Sequence, residues 1–507
     1  MQFIEQFECC SDYALEVLRR DKVWRFWIYL LMFFLFLGSL GADPDLFARI
    51  SAGRLVEKYG SVVFADPFAV TDKKPIWVDH EWLSGVFFYQ ISQFGGDLLL
   101  FLFKSLIAVI TVYILCRAQK IYSEKPGKIF IWTLLCVLNS TYIWASTARS
   151  QIFTYLFLSI ILLGFVTYEK YNIKRFLLLQ PLMMIPWANM HGGFVLGVGL
   201  QLVFFVGICF VRKKIDYFFL SIVLFTILAT SVNPYGFVIY WSYILEAVTM
   251  PRPTIGEWAP IEIMSLKNFI THISILFIIA GLFIRRTSRT DLLKILLILA
   301  GTVWGYRHQR LIAICSFILA VYGISYFQSV IGFIEDKIPM QILRIQRAGI
   351  AFLILITPLI IYKNAQALFY SDNFRLSLEQ YPVSACEWLR TNTAGGKVLI
   401  DFNNGSYVLW RLFPKFLVSL DGRYEEVYPE STVRSVSCAL DVNCKDQKDE
   451  LSRINPDFAI VNIKTVQSFA DGWNIIYSDK DYGVFAKTAG KYSNNFESVY
   501  PLWKPLF

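Results

Sequence analysis

Apolar stretches long enough to cross a bilayer recur along most of this 507-residue chain, and nothing else in it limits the possible folds as strongly. About eleven can be placed, since a spanning helix needs roughly 20 apolar residues. They centre near residues 33, 107, 136, 158, 181, 203, 225, 276, 298, 319 and 356. With 56% hydrophobic and only 17% charged residues, the chain reads as an α-helical polytopic membrane protein, because helices satisfy their own backbone hydrogen bonds where no water can.

The basic residues give an orientation. Loops 117–128, 170–175, 212–214, 285–289 and 337–347, with residues 19–25 before the first span, carry most of the Lys and Arg found before residue 364, and short basic loops stay on the cytoplasmic side. The later loops on the opposite side are poorer: Arg149 in one, none around Asn189 to Gly193, Arg252 and Lys267 in a longer one, and Arg307 with Arg310. The N-terminus is therefore expected inside and the C-terminus outside. No small-residue cleavage pattern follows the first span, so it reads as a retained anchor. The net charge of +9 is dispersed over separate loops, which argues against a nucleic-acid surface.

Three regions follow: a cytoplasmic head (1–23), a transmembrane domain (24–363) that includes a structured first external loop (43–95), and an external α/β domain (364–507). In the last, Lys397-Val-Leu-Ile-Asp401 and Phe458-Ala-Ile-Val-Asn462 read as strands, and Asn403-Asn404-Gly405, Asn455-Pro456-Asp457 and Asp471-Gly472 as turns. Cys438 and Cys444 are close enough to close a small disulfide loop in an oxidising compartment; spacing alone leaves that open.

The first external loop is long, and loops of that length are usually functional or disordered. Here Leu46, Ile50, Leu55 and Val56 share one helical face, and Arg49, Arg54, Glu57 and Lys58 the other. That pattern predicts an amphipathic helix at the membrane interface, capped by Asp45 and stopped near Gly60. A second helix is expected near His80, with Glu81, Trp82, Phe87, Phe88 and Tyr89 at headgroup depth.

On this topology all four histidines, His80, His191, His272 and His308, lie at the external face, with Arg149, Asn189, Asn233, Glu257, Arg307 and Arg310. Polar groups gathered from separate spans are how a membrane protein builds a site for a charged, lipid-linked substrate. Each has a plainer alternative. Asp43 or Asp45 caps a helix, Asp79-His80-Glu81 is a solvated helix start, His191-Gly192-Gly193 and Asn233-Pro234-Tyr235-Gly236 are turns, and Arg307 and Arg310 snorkel to headgroups.

The motifs Asp43-Pro44-Asp45-Leu46, Asp66-Pro67-Phe68, Trp77-Val78-Asp79-His80-Glu81-Trp82-Leu83, Trp187-Ala188-Asn189-Met190-His191-Gly192-Gly193 and Asn233-Pro234-Tyr235-Gly236 resemble those of bacterial C-type integral membrane glycosyltransferases. That superfamily includes protein O-mannosyltransferases, the aminoarabinose transferase of lipid A, and oligosaccharyltransferases. The resemblance covers most of the chain and extends to Gly405, Trp410, Pro414 and Asp421-Gly422-Arg423.

The resemblance implies an inverting glycosyltransferase of the bacterial cytoplasmic membrane. Its donor is a sugar on a polyprenyl phosphate or diphosphate, and its acceptor a lipid, glycan or protein at the external face. The acid ending the first span, here Asp43 or Asp45, is the implied general base, with Glu81 as second choice. The leaving phosphate would be held by Arg149, Arg307 and Arg310, with His308, and His80, Asn189, His191 and Asn233 would line the substrate site. No cofactor is expected. Asp43-x-Asp45 also resembles the acidic pair that holds a divalent cation in oligosaccharyltransferases, so Mg²⁺ or Mn²⁺ stays an alternative, as does a metal site using His80 and Glu81. The chain lacks the Trp-Trp-Asp-Tyr-Gly segment of those enzymes, which argues against a peptide asparagine acceptor.

Two other classes compete. A transporter or scramblase of lipid-linked sugars needs ionisable residues near mid-membrane, where Lys104 is the main one; a non-catalytic envelope-assembly scaffold would tolerate loss of Asp43 and Asp45. No Walker loop, nucleophile elbow or dinucleotide fingerprint is present.

Overall fold

The structure is a computed structural model. It describes residues 21–37, 42–123, 126–139, 147–250, 256–263, 268–285, 288–338, 357–359, 362, 378, 380–464 and 469–488. Most of the head expected at 1–23, the span expected near residue 356, and the basic residues Arg19, Arg20, Lys125, Arg252, Lys267, Arg286, Arg344 and Arg347 lie outside these.

The described chain is mostly helical. In order, the helices are α1 (Asp21–Leu37), α2 (Pro44–Tyr59), α3 (Trp82–Lys120), α4 (Pro126–Leu138), α5 (Gln151–Tyr171), α6 (Arg175–Met190), α7 (Phe194–Arg212), α8 (Tyr217–Ala229), α9 (Gly236–Thr249), α10 (Phe269–Ile284), α11 (Arg289–Arg307) and α12 (Ile312–Lys337). Each of the first ten expected span centres falls within one of them. Four helices among the described residues are long and apolar enough to cross a membrane: α3, α5, α7, and α12 with the short turn before it. Three more, α8, α9 and α10, are apolar but shorter. These make a multi-pass membrane fold.

The chain divides into two compact units. The first comprises residues 1–40, 95–237 and 251–375, and contains most of the apolar helices. Its helices bury polar groups as well: Lys104 is 2% exposed, and Asp291 and Lys294 are 1% and 4% exposed. The last two are paired at 3.2 Å. Lys104 is therefore one of several buried charges in the spans.

The second unit comprises residues 41–94, 238–250 and 376–507. The loop between the first two expected spans thus groups with the C-terminal residues, whereas the sequence grouped it with the spans. A double glycine marks the boundary: α3 breaks at Gly95 and Gly96, and Gly96 has φ 57°, a left-handed conformation that only glycine adopts without strain.

The C-terminal part adds α13 (Val383–Asn392), α14 (Phe402–Leu412), α15 (Tyr424–Val427), α16 (Glu430–Leu440) and α17 (Gln447–Ile454). Its strands are β1 (Gly396–Leu399), β2 (Phe416–Val418), β3 (Phe458–Asn462), β4 (Trp473–Ser478) and β5 (Tyr482–Lys487), in the order β2-β1-β3-β5-β4. β1 is parallel to β2 and β3, while β5 is antiparallel to β3 and β4. Both expected strands are present. Asn403-Asn404-Gly405 is not a turn but the start of α14, because the Asp401 carboxylate caps the Asn403 and Asn404 amides. Gly405 is needed there for closeness: a Cβ would sit 1.8 Å from the Leu420 carbonyl oxygen. Cys438 and Cys444 form a disulfide, with Cα atoms 5.4 Å apart.

The loop joins this domain through backbone and side chains. Val70 N–H donates to the Val418 carbonyl at 2.9 Å and Val418 N–H to that of Phe68 at 3.1 Å, so the loop extends the sheet beyond β2. Phe47 of α2 enters a cage of Tyr381, Tyr407 and Trp410, with ring centroids 5.1 to 5.2 Å away. Gly53 lies so near Gly85 that a Cβ would be 2.1 Å from its carbonyl oxygen. α2 is consequently buried on nearly all sides over its first three turns, Arg49 included at 4% exposure, and only the end from Glu57 is exposed. The expected polar face is mostly interior. Phe88, expected at headgroup depth, is also fully buried.

Candidate functional site

The sequence-predicted residues separate into two groups, one in each unit. In the second unit, α2 opens with Pro44 at its first position, where no amide hydrogen is needed, and the cap is Asp43, not Asp45. The Asp43 Oδ1 accepts from the Asp45 amide at 2.9 Å, and Gly60, left-handed at φ 69°, closes the helix by donating to Val56. Asp45 lies in the first turn and faces the Asp421-Gly422-Arg423 turn; a Cβ on Gly422 would stand 3.4 Å from an Asp45 oxygen. That turn is rigid. Arg423, with no exposed side-chain surface, pairs with Asp66 at 2.5 Å and Asp421 at 2.7 Å, and its guanidinium lies 4.8 Å from the rings of both Phe68 and Trp77.

One turn after Asp45 on the same helix, Arg49 gathers three carboxylates. Its Nη1 meets Asp79 at 2.5 Å, its Nη2 meets Glu426 at 2.6 Å, and its Nε meets Glu81 at 3.3 Å. His80 Nδ1 lies 3.1 Å from Glu426 and its Nε2 3.5 Å from Glu81; the Tyr243 hydroxyl is 3.0 Å from Nδ1. Trp77 Nε1–H donates to the other Glu426 oxygen at 3.2 Å.

Burial and pairing pull against each other here. Burial pushes the Asp79 carboxyl up, Glu426 adds to this and Arg49 opposes it, leaving a pKa of about 6. Burial also pushes Glu426 up, but Arg49 and the hydrogen-bonded His80 more than offset it and hold it at about 2. For His80, burial disfavours the imidazolium, yet Glu426 and Glu81 outweigh that and raise its pKa above 6.5.

In the first unit, His191 ends α6. The Gly193 amide donates to its Nδ1 at 2.9 Å, so this nitrogen is an acceptor. The Thr154 hydroxyl, 2.8 Å from the same nitrogen, accepts from Trp187 Nε1 at 2.8 Å and so donates onward to His191. The ring proton is thereby fixed on Nε2, and Arg310 Nη2 lies 3.5 Å from it. The Arg310 guanidinium is also 5.7 Å from the Trp258 ring, and His308 Nδ1–H donates to the Trp258 carbonyl at 2.7 Å. Arg149 pairs with Glu257 at 2.8 Å, next to Trp258.

Other predicted residues stand apart. Asn233 closes its own turn, accepting from the Tyr235 amide at 2.8 Å and donating to Thr230 at 2.7 Å. The Asn189 amide donates to Ile185 at 2.8 Å and to Val232 at 2.9 Å. Arg307 is exposed. Glu426, Tyr243, Thr154 and Trp258 were not singled out in the sequence; for Glu426, 377 residues from Arg49, no local signal exists. For Arg49 there was one: Ser51, Ala52 and Gly53 follow it, and small residues mark a helix that packs closely.

Among the described residues, no group of three or more His, Cys, Asp or Glu side chains is placed to hold a metal ion. The guanidinium of Arg49 already lies among Asp79, Glu81 and Glu426.

Neither the family models nor the curated proteins compared give a match to this sequence. Solved structures do. The apo oligosaccharyltransferase of Archaeoglobus fulgidus superposes with a TM-score of 0.56 at 12% identity, over 92% of this chain and 75% of that one; a structure of the same enzyme in complex with Zn and sulfate gives 0.53. Arabinofuranosyltransferase AftD from Mycobacteria gives 0.55 at 12% identity, over 94% of this chain and 40% of that one. ArnT from Cupriavidus metallidurans, bound to undecaprenyl phosphate, gives 0.51 at 12% identity, over 91% and 97%. The chain therefore has the fold of the C-type membrane glycosyltransferases.

Proposed function

We propose that this protein is a membrane glycosyltransferase that moves a sugar from a polyprenyl phosphate or diphosphate to a lipid, glycan or protein acceptor at the external face of a bacterial cytoplasmic membrane, with about eleven spans. The carrying observation is fold likeness to glycosyltransferases over nine-tenths of the chain. That ArnT was solved with undecaprenyl phosphate supports the donor class, and the basic loops and the Cys438–Cys444 disulfide support an external C-terminal domain.

In this reading a carboxylate of the α2 start, Asp43 or Asp45, takes the proton of the acceptor hydroxyl. The oxygen attacks the anomeric carbon, the bond from that carbon to the phosphate oxygen breaks, and the phosphate leaves with the electron pair, inverting the centre. Glu81, tied to Arg49, is the lesser choice of base. Within the first unit, His191 and Arg310 suit an oxyanion such as a phosphate: Nε2–H and the guanidinium are both donors, 3.5 Å apart, and two adjacent donors complement one oxyanion rather than each other.

Mass-spectrometric detection of transfer by the purified protein, from a panel of polyprenyl-phosphate sugars, tests this. Asp43→Asn or Asp45→Asn should lose about 10²- to 10⁴-fold in turnover, the usual contribution of a general base. No turnover from any donor, with donors bound equally by folded wild type and variants, would sink the proposal. It would favour a second reading, transport of lipid-linked sugars, for which the buried Lys104 and the Asp291–Lys294 pair speak.

A further inference from the structure

We infer that Glu426 is a positioning residue: through Arg49 it sets the rotation and register of α2, and so the placement of Asp43 and Asp45 at its start. The inference rests on the glycosyltransferase reading for its consequence in turnover, but its structural part stands alone.

Asp45 and Arg49 are one turn apart, and residues at that spacing share a helical face. A guanidinium gripped from one side would let the helix rotate or slide. Arg49 is instead hydrogen-bonded to Asp79 and Glu426 through two nitrogens and lies at ion-pair distance from Glu81 through a third, so any rotation of α2 breaks at least one charged contact among buried groups. Asp79 and Glu81 come from the same short loop segment as His80 and Trp77. Glu426 alone among the three carboxylates comes from the C-terminal domain, and it does more than its partners. One oxygen faces both Arg49 and His80, and the other takes the Trp77 indole N–H. Its own place is fixed because α15 follows directly on the locked Asp421-Gly422-Arg423 turn. The C-terminal domain thus adds a charged hold on Arg49 to the aromatic cage around Phe47 and to the hydrogen bonds that Gln380 and Tyr381 donate to the Ala42 carbonyl.

A buried ion pair that only adds stability would look similar, since removing one partner of such a pair is destabilising in any case. The test must therefore read position. Glu426→Gln keeps the shape and an oxygen for Trp77 while removing the charge that holds Arg49. In the full-length protein in lipid nanodiscs, turnover per folded molecule should fall about tenfold to a hundredfold, the size of effect a displacement near 1 Å can cause. KM for the sugar donor should stay within about twofold, because uniform binding is untouched. Hydrogen–deuterium exchange should quicken over the first two turns of α2 while α14 keeps its protection. If Glu426→Gln does not fold, Glu426→Asp, which keeps the charge but draws it back from Arg49 by one methylene, should shift turnover and exchange in the same direction by less. Unchanged exchange in α2 with unchanged turnover overturns the inference. Were the wild type itself to transfer no sugar, the functional reading would fall, and exchange in α2 alone would decide the positioning role.

Discussion

Arg49 in the second unit and Arg310 in the first are both helix-associated arginines beside a histidine, yet their surroundings are opposite. Arg49 is buried among three carboxylates. Arg310 is half-buried, rests near the Trp258 ring, lies beside the protonated nitrogen of His191, and among the described residues has no carboxylate at ion-pair distance. An arginine enclosed by acids has its charge spent within the protein and fixes structure. One beside an aromatic face and a second donor leaves its charge unneutralised by the protein, and in the proposed function that charge meets a phosphate.

The strongest way to break this comparison is Arg49→Met. It leaves three buried carboxylates without their cation, so unfolding should become easier by about 3 to 5 kcal/mol, measured by denaturant titration in detergent micelles. A loss under about 1 kcal/mol would mean that the cluster is solvated and the contrast false. Arg310→Met should do the reverse: stability within about 0.5 kcal/mol of wild type, with sugar transfer down about 10- to 100-fold, the worth of one charged hydrogen bond. Full transfer with lowered stability would make Arg310 a second Arg49.

A smaller effect, in the pH dependence of stability, sharpens the same contrast. The Asp79 pKa is raised from 3.8 to about 6, so its stabilising share is complete below 3.8 and is lost as pH rises through 6. His80, raised above 6.5, likewise loses its share as pH climbs past that value. Glu426, lowered from 4.5 to about 2, contributes above 4.5 and loses its share as pH falls toward 2. The midpoint temperature of the second unit should peak at about pH 4, where the rising Glu426 share and the falling Asp79 share cross, and decline toward pH 8, and His80→Gln should flatten the upper decline. A midpoint rising steadily to pH 8 in differential scanning fluorimetry would refute the assignment of charges.

Much of the fold could be read in the sequence because it is written locally. Apolar runs mark the helices of the first unit, strand runs mark β1 and β3, and Pro44 and Gly60 bracket α2. His80 and Glu81 were visible as candidates for the same reason. What could not be read depends on distance along the chain. Periodicity assigned Arg49 to a wet face because a charge on a helix is usually solvated; only Glu426, 377 residues away, makes its burial tolerable. The Asn403-Asn404-Gly405 run carries turn residues, but the Asp401 cap and the backbone contact at Gly405 outweighed that composition.

The second unit is assembled from three pieces of chain, 41–94, 238–250 and 376–507, and this sets a timetable for biosynthesis. Roughly 280 residues separate the loop from the start of its partner domain, so at a synthesis rate of about 5 to 20 residues per second the loop waits on the order of 15 to 60 s for its partner. During that interval Arg49 lacks Glu426, Phe47 lacks its aromatic cage and the sheet edge that pairs with Val70 does not yet exist. The buried charges around Arg49 are therefore among the last to be satisfied, and a nascent chain stalled before residue 376 would present an unfinished, aggregation-prone loop to the cell's quality control.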